Sequence, residues 1–79
     1  MRKIFTEHCM QRIIQRRIDI KQVHETVDNP DNTTDISTPQ VRKRRFEKTF
    51  PDNTTIIAIC EVSSEAYKIV TAWKKEDIE

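Results

Sequence analysis

The chain has 79 residues, of which 35% are hydrophobic and 34% charged, and its formal net charge is +1. That length suits one domain, and the longest apolar run, residues 56–60, is too short to span a membrane. With no secretory signal after Met1 and only two cysteines, we expect a single domain over residues 1–79, cytoplasmic, with reduced thiols and no membrane partner.

Glycine is absent from the sequence. Phosphate-binding loops and dinucleotide fingerprints depend on glycine, so both classes of site are excluded. Any left-handed turn is expected to use Asn, Asp or Ser. The histidines and cysteines do not stand at the spacings of a zinc site, and we therefore expect neither a metal nor another cofactor.

The first predicted element is an amphipathic helix over residues 6–16. Thr6 is a favourable N-cap, and Cys9 and Ile13 recur at helical spacing on the side that is expected to be buried. On another side of this helix stand three basic residues at positions i, i+4 and i+8, namely His8, Arg12 and Arg16.

A second helix is predicted over residues 20–28. Asp19 and Gln22 form a capping pair at its start, and Pro30 ends it because the residue before a proline avoids the helical region. The charges change in the same part of the chain, since basic residues dominate 1–21 and 39–48 and acidic residues dominate 22–38. The two basic segments either converge into a phosphate-attracting surface or form solvated faces that pair with acidic groups.

From residue 30 onward the sequence predicts a sheet. The segment Pro-Asp-Asn-Thr-Thr occurs at 30–34 and again at 51–55, and each copy is typical of a tight turn that leads into a strand. Strands are predicted at about 34–38, 41–50, 54–62 and 66–73, and the short loops between them favour antiparallel pairing. The predicted fold is α+β, with two N-terminal helices packed on a three- to four-stranded antiparallel sheet.

Alternation along the strands assigns side chains to faces. In 41–50 it puts Arg44 on the face of Phe46, which points to the core, and Arg45 on the other face. A slip of one residue exchanges the two arginines, so which one faces a site stays open. In 66–73 alternation puts four residues on one face, namely Tyr67, Ile69, Thr71 and Trp73.

Several short motifs carry a resemblance to a known family. They are Thr6-Glu7-His8 with Arg12, then Arg16-Arg17-Ile18-Asp19, Asn29-Pro30 and the closing Ile69-Val70-Thr71-Ala72-Trp73. This order resembles the small bacterial family called domain of unknown function 4258, which has a T-x-H-x-x-x-R helix and strands ending in V-T-x-aromatic. The family usually has Ala where Cys9 stands and Gly where Arg17 stands.

The resemblance extends to the RelE-like toxins and the wider barnase, EndoU, colicin and RelE group of RNA-cleaving folds. It implies two helices before a sheet, RNA as substrate and an antitoxin-like protein as partner. Metal-independent RNA cleavage requires proton-transfer groups and cations beside the phosphate. The candidate catalytic residues are His8, Arg12, Arg45 and Thr71. The candidate nucleic-acid-binding residues are Arg16, Arg42, Arg44, Lys48 and Tyr67.

The leading hypothesis is a metal-independent, toxin-like endoribonuclease. One alternative is a module of the same fold that binds nucleic acid without turnover. The other binds a protein, either an antitoxin-like strand or helix on an exposed sheet edge or a second copy of the chain. Structural roles are also open: His8 as a cap of its own helix, Arg12 and Arg16 as a solvated face, and Thr71 and Tyr67 as strand formers.

Overall fold

A computed structural model of the chain describes residues 2–75. Its elements, in chain order, are β1 (Arg2–Phe5), α1 (Glu7–Gln15), α2 (Ile20–Asp28), β2 (Asn32–Asp35), β3 (Lys43–Thr49), β4 (Thr55–Val62) and β5 (Ala66–Lys74). The α+β class and both helices are as predicted. Neither helix of this part of the chain is long and apolar enough to cross a membrane.

Side-chain caps fix the start of each helix. The Thr6 hydroxyl accepts a hydrogen bond from the Cys9 backbone N–H at 3.1 Å, and the Asp19 carboxylate accepts one from the Lys21 N–H at 2.9 Å. Each cap satisfies a backbone donor that the first helical turn leaves without a partner. The Gln22 side chain does not reach back to Asp19 and donates instead to Asp52 across 3.4 Å.

The turn between the helices is built on Arg17, at the position where the family usually has glycine. Arg17 has φ of 54°, and the Ile18 N–H donates to the Ile13 carbonyl at 3.0 Å to close the end of α1. Asn53, at φ of 69°, fits the prediction for left-handed positions, but Arg17 contradicts it. Burial of Ile18, which is 6% exposed, contributes about 1.5–3 kcal/mol and so offsets the roughly 1–2 kcal/mol cost of left-handed backbone at an arginine.

The sheet has five strands in the order β1-β5-β4-β3-β2. Strands β2 to β5 form the predicted antiparallel meander, whereas β1 pairs with β5 in parallel. The prediction of a three- to four-stranded antiparallel sheet was therefore wrong in both strand number and direction. β1 has only four residues, and its partner lies at the other end of the sequence, so no local pattern marks it as a strand.

Both helices lie on one face of the sheet, with α1 against β5 and α2 against β4 and β3. This covered face carries the core, which unites helix residues and sheet residues. Its buried members are Cys9, Ile13, Ile18, Val23, Val27, Phe46, Ile56, Ala58, Cys60, Ile69 and Ala72. The other face, here called the open face, has no helix of residues 2–75 against it.

A bulge in β5 changes which side chains share a face. Ile59 pairs with Thr71 while Cys60 pairs with Ile69, which leaves Val70 as an extra residue. Tyr67 and Ile69 therefore lie on the covered face, whereas Thr71 and Trp73 lie on the open face. The single-face assignment of these residues was wrong because simple alternation does not anticipate a bulge.

Candidate nucleic-acid interface

The basic residues of α1 form the first part of the candidate site. His8, Arg12 and Arg16, here called the α1 stripe, occupy one side of the helix as their spacing predicts. The Arg12 Nε donates to the His8 Nε2 across 3.5 Å, and both side chains are exposed. This contact requires a lone pair on Nε2, so it forms with the neutral imidazole. The arrangement brings a proton-accepting group and a guanidinium together in solvent.

Arg16 ties the other end of the stripe to the sheet. Its Nη1 donates to the Ala72 carbonyl at 3.0 Å, and its side chain is half-buried. β1 pairs with β5 only over Ala66–Ile69, so Arg16 binds β5 beyond the end of β1. The hydrogen bond fixes the guanidinium in place while its other N–H groups remain available for an oxygen ligand.

The α1 stripe has no acidic partner within residues 2–75. The ion pairs of this part of the chain involve other cations, namely Lys3, Arg45, Lys48 and Lys75. A guanidinium without a nearby carboxylate keeps its charge and hydrogen-bond donors for an external anion. The stripe can therefore bind phosphate without first breaking an ion pair.

The structure does not bring Arg45 and Thr71 to the α1 stripe. Arg45 pairs with Ile59, which pairs with Thr71, so both lie on the open face while α1 lies on the covered face. The Arg45 Nη1 also forms an ion pair with Glu47 at 2.9 Å. The sheet thus divides the four candidate catalytic residues into two pairs, and His8 and Arg12 are the pair in contact.

Arg42 and Arg44 lie away from the α1 stripe, at the start of β3. Both are exposed, and Arg44 pairs with Asp35 of β2, the edge strand opposite β1 in the strand order. Hydrogen bonds from Ser37 lower the pKa of Asp35, and the two arginines lower it further. The alternation of β3 is confirmed, since Phe46 is buried in the core and Arg44 shares its face.

Lys48 and Tyr67 already have partners within the fold. The Lys48 Nζ donates to the Asn29 carbonyl at 2.8 Å and lies 3.7 Å from a carboxylate oxygen of Asp31. The Tyr67 ring meets the Phe46 ring edge-on, with centroids 5.4 Å apart, and packs against the core. For Tyr67 the structural alternative is the better account, because its ring stabilises the core.

The two thiols are fully buried and are not placed for chemistry. Burial raises the pKa of Cys9, although the nearby Arg16 charge counteracts part of the rise. Burial also raises the pKa of Cys60 to about 12, with the Cys9 thiol as the second cause. Within residues 2–75, no three side chains of the His, Cys, Asp and Glu types stand together as a metal site requires.

Sequence reasoning considered Trp73 as a base-stacking or core aromatic but did not group it with the other residues that surround Ile57 on the open face. Ile57 pairs with Glu47 on one side and Trp73 on the other, and Lys75 reaches Glu47 at 3.6 Å. Lys68 lies further along the same face, paired with Glu61. The alternation of β3 carries a signal for Glu47, but the bulge hides the corresponding signal for Trp73.

Comparison with known proteins identifies one family. Residues 5–74 match the family described as a domain of unknown function (DUF4258). Comparisons with curated proteins and with solved structures give no significant match. The matched segment includes α1, α2 and the four antiparallel strands, and with them every motif that carried the resemblance. The chain therefore belongs to the family of domain of unknown function 4258.

Proposed function

We propose that this domain binds RNA through the phosphate backbone, with the α1 stripe as the contact surface. The observation that carries the proposal is the set of two guanidiniums beside an exposed imidazole, none of them in an ion pair within residues 2–75. Cations in this state gain most from a polyanion, because binding releases counterions without breaking internal salt bridges.

RNA cleavage at the same stripe is the second candidate function. It is favoured by the 3.5 Å contact between His8 and Arg12, which combines a proton-transfer group with a cation able to stabilise a charged phosphorane. Arg45 and Thr71 lie on the open face, on the other side of the sheet from α1, so His8 is the one candidate proton-transfer group on the α1 stripe. Binding is therefore the conclusion, and the link to RelE-like toxins stays a prediction.

The test measures binding and cleavage in one sample. A labelled single-stranded RNA is titrated with the full chain in the presence of a chelator, by fluorescence anisotropy, and the RNA is then separated by length. Arg12→Ala is expected to weaken binding about tenfold, since a charge-assisted contact contributes about 1.5 kcal/mol. The slope of log affinity against log salt should fall by about 0.7.

Lys21→Ala is the matched control, because Lys21 is an exposed cation at the start of α2. It is expected to change affinity less than about twofold. Equal effects of the Arg12 and Lys21 substitutions, or no binding by the wild type at low salt, would contradict the proposal. Chelator-resistant cleavage that His8→Ala abolishes would establish the second candidate, whereas intact RNA in every lane would exclude it.

A further inference from the structure

Within residues 2–75, the open face of the sheet is richer in cations, relative to acids, than the same residues taken together. Strand pairing and the contact of Lys75 with Glu47 assign the charged side chains to this face. The cations are Arg2, Lys43, Arg45, Lys68 and Lys75, and the acids are Glu47 and Glu61. Cations outnumber acids by five to two on this surface, against fourteen to ten over residues 2–75. Charge of one sign gathered on one face attracts a polyanion more strongly than the composition indicates.

An aromatic side chain lies within this positive surface. Trp73 is half-buried and pairs with Ile57, which is only 2% exposed although it lies outside the core cluster. No helix of residues 2–75 lies over Trp73. An indole on a sheet surface, with Lys75 on the same part of the open face, offers a platform on which a nucleobase can stack.

A groove opens near the other end of β5. It has a volume of about 410 Å³, and its lining combines apolar and charged side chains. The apolar part comes from Ile4, Val41, Val62 and Ala66, and the charged part from Arg42, Glu61 and Lys68. Ile4 is 39% exposed, so part of the apolar lining faces solvent. Such a groove suits a flat, weakly polar ring that is attached to an anionic group.

From these features we infer that single-stranded RNA lies along β5 on the open face. One base stacks on Trp73, another enters the groove near Ile4, and the phosphates between them contact Lys68 and its neighbouring cations. An acidic peptide matches the charge but makes no use of the stacking surface, and paired bases of a duplex are not free to stack on it. The inference takes its ligand class from the proposed function but uses no residue of the α1 stripe.

Intrinsic fluorescence provides a direct test, because Trp73 is the only tryptophan in the chain. The full chain is titrated with an oligouridylate of about 12 nucleotides, a length that fits the usual site sizes for single strands. Saturable quenching of Trp73 that weakens with salt is expected. Lys68→Ala should weaken the quenching titration about threefold to tenfold, and Lys21→Ala should leave it nearly unchanged.

The outcomes separate this inference from the proposed function. If Arg12→Ala weakens binding but RNA leaves Trp73 unquenched, the α1 stripe is the RNA site and the inference is overturned. If Lys68→Ala weakens the quenching and Arg12→Ala has no effect, the inference holds and the proposed function is overturned. Tighter quenching by oligoglutamate than by the RNA would overturn the inference in favour of an acidic protein partner. No binding by the wild type would overturn both.

Discussion

The covered and open faces of the sheet bury apolar side chains in different ways. Ile56 and Ile57 are neighbours in β4 and are 0% and 2% exposed, respectively. Ile56 belongs to the core cluster that includes both helices, whereas Ile57 lies between Glu47 and Trp73 on adjacent strands. The pair shows that long cross-strand neighbours can exclude water from an apolar side chain without a helix above it.

The two faces also differ in polarity. Thr26 is the buried polar residue of the described chain, and its hydroxyl donates to the Gln22 carbonyl at 2.7 Å within α2. The open face carries ion pairs over the strands themselves, with Glu47 between Arg45 and Lys75. On the covered face, Lys3 and Lys48 pair with acids of α2 and of the segment that follows it. Ion pairs thus occur on both faces, but only the covered face has the apolar core beside them.

The largest expected difference concerns thiol reactivity on the covered face. Cys9 and Cys60 are both 0% exposed, so an aromatic disulfide reagent reaches them only after the chain unfolds. At pH 8 we expect labelling at least about a thousandfold slower than in urea, given an unfolding free energy of about 5 kcal/mol. Rapid labelling of either thiol in native buffer, followed by mass spectrometry, would show that this face is open.

The same burial predicts how stability depends on pH. The pKa of Cys60 is raised from 9.0 to about 12 in the folded chain. The buried thiol therefore makes its full contribution to the free energy of unfolding below pH 9, and this contribution is lost as pH rises toward 12. The urea midpoint should fall across that window, and it should fall less in Cys60→Ala. Identical pH profiles for the two proteins would contradict the assignment of this pKa.

Truncating the neighbouring isoleucines compares the two faces directly. Ile56→Ala is expected to lower the free energy of unfolding by about 3–4 kcal/mol, because the helices hold a cavity open in the core. Ile57→Ala should cost only about 2 kcal/mol, since the side chains over it can relax into the space. Urea unfolding with a shared m-value measures both, and an equal or reversed order would remove the distinction between the faces.

The ion pairs of the open face are expected to contribute less. Glu47 has a side chain that is 17% exposed and contacts two cations, so Glu47→Gln should lower the free energy of unfolding by about 1 kcal/mol at low salt. The matched control is Asp28→Asn, which removes a pair with Lys3 whose carboxylate is 49% exposed. We expect less than about 0.5 kcal/mol for it. A larger loss for Asp28 than for Glu47 would contradict the comparison.

The smallest predicted effect on the free energy of unfolding concerns the turn between the helices, which belongs to neither face of the sheet. Arg17→Gly should raise the free energy of unfolding by about 0.5–1 kcal/mol, because glycine adopts φ of 54° without a clash from Cβ. Asn53→Gly, at φ of 69°, should raise the free energy of unfolding by less, because asparagine tolerates left-handed backbone. Thermal unfolding of the two variants measures the difference, and a loss of stability in Arg17→Gly would show that its side chain has a structural role.

The elements that were predicted well are those with local signals. Capping residues marked the starts of α1 and α2. Alternation around Phe46 marked β3, and β-branched residues between turn signals marked β4 and β5, all to within about two residues. The α1 stripe also followed from spacing alone, since i and i+4 positions of a helix are always neighbours. His8 and Arg12 were therefore identified before any tertiary information.

The candidate site was predicted less well where it depended on contacts between distant segments. Arg45 and Thr71 were grouped with His8 through the resemblance to RNA-cleaving folds, and the sheet separates them from it. Tyr67 was assigned to nucleic acid, but it packs against Phe46 in the core. No local pattern records which side of a sheet a helix covers, so spacing could not show that these residues lie apart from His8.

The local sequence signals determined the α+β class, both helices and the four antiparallel strands of this protein. Tertiary structure alone decided the parallel pairing of β1 with β5, the bulge at Val70 and the separation of the cations onto two surfaces. Helix caps and strand alternation act over a few residues, and the sequence displays them directly. Pairing between the two ends of the chain depends on the total free energy of packing, to which every segment contributes.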